Sequence, residues 1–161
     1  MASLPDPRRI VTDYGDEATK LGASVGVRWE TKQFPADNSG TEDQVTARTT
    51  DLANRNGVIL RVVDVEPGTT QAKMLFHRTG SLDFGILFSG EVSCYLDDSA
   101  RVDMKPGDVC VQWGTIHGWT NTGTTPARLC FCLVAAKPAN VGDRELGAHG
   151  YYKEDIESGG T

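Results

Sequence analysis

The side chains best suited to chemistry in this sequence are His77, Asp83 and His117. Two imidazoles and one carboxylate form a set that holds a divalent metal and leaves positions open for substrate, with iron and zinc the usual occupants. The same groups can work without metal. Imidazole titrates near neutrality and a neighbouring carboxylate sets its tautomer, so either histidine could serve as general base. A structural reading competes with both: two hydrogen-bonded interior histidines, with Asp83 paired to His77, His117 or Arg78. Asp83 needs some such partner, because burying a lone carboxylate is costly.

These residues sit in runs that read as β-strands, where side chains alternate between faces. In Leu82–Phe88, alternation puts Asp83, Gly85 and Leu87 on one face. Leu82, Phe84, Ile86 and Phe88 share the other. Gly85 beside Asp83 is expected to leave room for a ligand. His117, Trp119 and Asn121 also share a face, an odd combination for a core but a natural pocket wall. Thr79, Gly85, Leu87, Trp113, Trp119 and Asn121 are therefore the expected pocket residues, with core packing an equal reading for the two tryptophans. Arg78 should point away from the pocket by alternation.

The rest of the chain fits an all-β domain. From Val58 to Ala136, short β-rich runs are broken by Gly, Pro or Asp at regular intervals, and none shows sustained helical periodicity. The expected organisation is an N-terminal arm over residues 1–22, a barrel over 23–138 with its motif core at 58–136, and a tail or strap over 139–161. Residues 35–51 read as a long polar loop. The chain length of 161 residues suits one domain. A net charge of -6 without a basic stripe argues against nucleic acid. A mean hydropathy of -0.34, with no apolar run near the roughly 20 residues of a membrane span, points to a soluble, cytoplasmic protein. The cysteines Cys94, Cys110, Cys130 and Cys132 form no CxxC pair and read as small core residues in a reducing compartment. Cys130 and Cys132 should share one face.

Two spacings give the chain a family resemblance. His77, Asp83 and Gly90 match the rhythm of one motif, and Gly114, His117 and Asn121 that of a second. Over residues 68–136 the chain resembles a small single-domain cupin. It departs from the pattern at Thr79, where a second histidine is usual, at Asp83 in place of glutamate, and at Gln112 in place of proline. The resemblance implies a cupin-type jelly-roll β-barrel (a double-stranded β-helix), a homodimer, and metal-assisted work on small molecules. It carries three of the four metal-ligand positions onto His77, Asp83 and His117.

The expected function is an enzyme of the lyase or isomerase type that decarboxylates, dehydrates or enolises a small oxygenated metabolite. His77, Asp83 and His117 would be its catalytic residues. A divalent metal (Fe, Zn, Mn or Ni) on the same three side chains and no metal at all are the two cofactor states in view. The alternatives are an iron-dependent dioxygenase at the same site and a cupin that binds its ligand without turnover. No nucleic-acid or membrane partner is expected. A homodimer also has a physical reason, because Leu82, Phe84, Ile86 and Phe88 would otherwise form an exposed apolar patch.

Overall fold

Strand alternation builds this molecule. In the computed structural model, residues 17–18, 23–39, 55–72 and 74–152 are described. The strand Ala127–Ala135 buries Ala127, Leu129, Phe131 and Leu133 and turns Cys130, Cys132 and Val134 the other way. The all-β expectation holds: every regular element among the described residues is a strand.

In chain order these are β1 (Glu17–Ala18), β2 (Ala23–Glu30), β3 (Val58–Val65), β4 (Leu75–Arg78), β5 (Ser81–Ser89), β6 (Val92–Leu96) and β7 (Arg101–Met104). Then come β8 (Val109–Trp113), β9 (His117–Thr120), β10 (Ala127–Ala135), β11 (Ala139–Val141), β12 (Arg144–Leu146) and β13 (His149–Tyr152). One sheet has the order β1-β2-β3-β10-β5-β8 and the other β13-β4-β9-β6-β7, with β11 and β12 a separate hairpin. The core between the sheets includes Ile59, Leu87, Val92, Met104, Leu129 and Leu133. Burying such side chains is the main term holding the sheets together, at roughly 1.5–3 kcal/mol each.

Two glycines place the turns that matter here. Gly90 closes the β5–β6 turn with φ 80°, and a Cβ there would lie 2.6 Å from the Ala127 Cα. Gly114 has φ 58° and starts the turn that delivers His117 to β9. Both conformations suit glycine because side chains disfavour positive φ.

The C-terminal strap is a strand, since β13 pairs with β4 and sets Gly150 beside His77. The 1–22 arm apart from Glu17–Ala18, the loop beyond residue 39, and the tail beyond Tyr152 lie outside the described residues. Cys130 and Cys132 do share a face, but it is the outer, half-buried one and not the core. No helix among the described residues is long and apolar enough to cross a membrane.

Candidate functional site

The antiparallel register of β4 with β9 sets His77 directly opposite His117. Their ring centroids lie 4.4 Å apart, tilted by 54°. Each Nδ1 meets a backbone carbonyl: His77 that of Leu75 at 3.2 Å, His117 that of Thr115 at 3.0 Å. The Nδ1–H donors fix the tautomer in both rings and leave Nε2 as the nitrogen available to a ligand. An aromatic chain continues from them, with Trp119 edge-on to His117 at 6.1 Å and to Phe131 at 5.5 Å.

Both histidines line a cavity of about 110 Å³ between the sheets. Its other walls include Val63, Val65, Met74, Phe131 and Leu133, together with Thr79, Asp83 and Trp119. Burial lowers the pKa of both rings, because a charged imidazolium loses its hydration there. His117 falls to about 3, with the neighbouring His77 as the second cause. Burial also raises Asp83, against hydrogen bonds from Ser81 and Thr79 that lower it.

Asp83 takes its partners from its own strand and the turn before it. Thr79 Oγ1 donates to Oδ2 at 2.6 Å, and Ser81 Oγ donates to Oδ1. Neither histidine nor Arg78 is its hydrogen-bond partner. Arg78 turns away as alternation requires and donates from Nε to the Gly114 carbonyl at 2.8 Å.

His77 and His117 have the orientation of metal ligands, with Nδ1 on a carbonyl and Nε2 available. Asp83 does not join them: its oxygens accept from Thr79 and Ser81. Among the described residues no three His, Cys, Asp or Glu side chains converge closely enough to hold an ion. As placed, the residues supply two imidazoles where a two-histidine, one-carboxylate site needs three ligands.

Four expected pocket residues lie elsewhere. Gly85 faces inward, but the Phe131 ring fills the space beside it: a Cβ on Gly85 would lie 2.6 Å from Phe131 Cε1. Leu87 is fully buried in the core. Trp113 is 78% exposed on the outer face, since it pairs with outward-facing Leu82. Asn121 is buried as a turn-holder: its Nδ2 donates to the carbonyls of Val65 and Thr125, and its Oδ1 accepts from the Gly123 amide.

Among the cavity residues outside the expected set, Arg61 is the charged one. Arg61 on β3 lines the cavity and is only 6% exposed. Its signal was parity, because Arg61 shares a face with Ile59, Val63 and Val65.

The cupin-domain family model matches residues 61–134. A cupin-domain-containing oxidoreductase of Aspergillus ruber is 33% identical over 157 residues, which cover 92% of this chain and 76% of that protein. The chain belongs to the cupin family. A phomopsin biosynthesis cluster protein of Diaporthe leptostromiformis is 41% identical over 170 residues, covering 89% of this cupin and 86% of the relative. Among solved structures, a conserved protein from Klebsiella pneumoniae with a double-stranded β-helix domain superposes with a TM-score of 0.54 at 15% identity. That match covers 81% of this cupin and 92% of the Klebsiella chain. The two facing sheets are thus the cupin jelly roll.

Proposed function

We propose that this cupin is an enzyme of the lyase or isomerase type, which enolises, dehydrates or decarboxylates a small oxygenated metabolite held between its sheets. The observation that carries the reading is the His77–His117 pair: two rings 4.4 Å apart, both Nδ1 atoms tied to backbone carbonyls, both rings on the cavity wall. A carbon acid bound there loses its proton to one Nε2, and the same imidazole returns the proton to another carbon or to a leaving hydroxyl. The apolar walls exclude water, which would otherwise compete for the proton.

Lowered pKa values keep both bases unprotonated down to mildly acidic pH. The acid limb of kcat/KM is therefore expected below 6.5, the ordinary histidine value. Asp83 acts through His77 as a positioning residue, since its negative charge raises the His77 value against burial. Asp83→Asn is expected to lower kcat and move the acid limb to still lower pH.

The test is proton exchange in D2O. NMR should detect deuterium entering 2-oxo acids or β-hydroxy ketones at the carbon beside the carbonyl, and His117→Ala should abolish it. Absence of exchange across such a panel, with ligand still bound, would return the protein to a non-catalytic binder. A second reading has its own support: the Aspergillus ruber relative is named an oxidoreductase. Oxygen uptake that depends on added Fe(II) would favour that reading. A second copy of the chain and a reducing, cytoplasmic compartment for its four thiols belong to the same proposal.

A further inference from the structure

We propose that Cys94 and Cys110 form an oxidation site, in which hydrogen peroxide links the two thiols as a disulfide that ties one sheet to the other. Cys94 lies on β6 of the five-stranded sheet and Cys110 on β8 of the six-stranded sheet. Cys94 is 4% exposed, and Cys110 packs half-buried against the core. The two thiols are hydrogen-bonded to each other across the sheets. Neither lines the cavity that holds the histidine pair, so the site stands apart from the function proposed above.

Gln112 completes the site. It shares the inner face of β8 with Cys110 and is 6% exposed. Its Nε2 donates to Cys94 Sγ at 3.1 Å. Its Oε1 is buried and has no hydrogen-bond partner among the described residues. A buried amide oxygen left without a donor is costly. A sulfenic acid on Cys110 carries the missing O–H donor.

The contact between the thiols divides their protons. Cys94 keeps its own: the hydrogen bond to Cys110 pushes its pKa up, and burial adds to the rise. Cys110 goes the other way, down to about 7, because the Cys94 thiol and then the Gln112 amide stabilise its thiolate against burial. The thiolate is the nucleophile, and Cys110 is the more accessible of the two, on the edge strand of its sheet. The Cys110 thiolate attacks a peroxide oxygen, forming an S–O bond, breaking O–O and releasing hydroxide. The Cys94 sulfur then attacks the sulfenic sulfur, forming S–S and breaking S–O, and its proton leaves with the oxygen as water. Each sulfur gives up one electron, and the peroxide takes up both.

Mass spectrometry of unreduced peptides from the full chain tests this. After a few equivalents of hydrogen peroxide, the Cys94 and Cys110 peptides should be joined, lighter by two hydrogens, and dithiothreitol should part them. Cys130 and Cys132, whose thiols burial pushes up, should stay open to alkylation at the same dose. Cys94→Ser removes the second thiol and should trap Cys110 as a sulfenic acid that takes up dimedone. Cys110→Ser should leave Cys94 unlabelled. Gln112→Leu should slow the linkage by about threefold or more, and an unchanged rate overturns the part given to Gln112. The inference falls if Cys94 and Cys110 both remain free at a dose that oxidises Cys130 or Cys132. It falls equally if Cys110 of the unmodified chain stops at the sulfenic acid without a link. Mapping the unmodified chain decides the matter even where a variant does not fold.

Discussion

Holding a histidine neutral inside a protein links stability to pH. His117 is 2% exposed and its pKa falls to about 3, while in the unfolded chain it takes the ordinary value of 6.5. Below pH 6.5 the unfolded state binds a proton that the folded state refuses. Stability is therefore complete above 6.5 and declines as pH falls toward 3. At pH 5 the loss from His117 is about 2 kcal/mol. His77 moves in the same direction, again through burial. Asp83 has the opposite sign: its raised value costs stability where it is ionised, and that cost is relieved as pH falls through its folded value. His117→Gln is expected to shrink the stability difference between pH 7 and pH 5 by about 2 kcal/mol in urea titrations. An undiminished difference would show that His117 is not the acid-sensitive group.

Individual strands depend on what the facing strand fills. Gly85 on β5 accepts the Phe131 ring from β10, and a methyl at that position would overlap Cε1 at 2.6 Å. The ring has little freedom to retreat, because Trp119 stands edge-on 5.5 Å behind it. Gly85→Ala is expected to destabilise the fold by about 1–3 kcal/mol through overpacking. Pairing it with Phe131→Leu should recover most of the loss; no recovery in thermal melts would move the conflict elsewhere. The same contact marks how far sequence reasoning reaches. Alternation correctly put Asp83, Gly85 and Leu87 on the inner face. It could not say that Phe131, nearly fifty positions on, would fill the space beside Gly85, or that Leu87 would lie in the core. Motif spacing brought His77 and His117 to one place because paired strands hold such spacings in register. Asn121 occupies a motif position for its turn, and its amide is spent on three backbone groups. Arg61 belongs to neither spacing and was visible only as an arginine among inward-facing valines.

At the scale of the whole molecule, the outer face of the six-stranded sheet is apolar across three strands. The register aligns Cys132, Phe84 and Val111 in one row, Cys130, Ile86 and Val109 in the next, and Val134, Leu82 and Trp113 in a third. Exposure is 58% at Phe88, 58% at Val109, 56% at Val111 and 78% at Trp113. The charged pair Arg128–Asp64, at 2.6 Å, lies toward one end of this face. β2 does not cover these rows: it extends the sheet edgewise beside β3. Soluble monomers seldom leave so continuous a patch in water, and a stable dimer needs roughly 800 Å² from each partner. Apolar rows fit their own copy about a twofold axis, because each row then meets an equally apolar row. The expected species at micromolar concentration has twice the 17.4 kDa chain mass. Val111→Glu places a charge in the middle row opposite Phe84 and is expected to give folded monomers that keep the interior cavity. Sedimentation of the unmodified chain as a single 17.4 kDa species would reject the dimer and leave the patch without a partner.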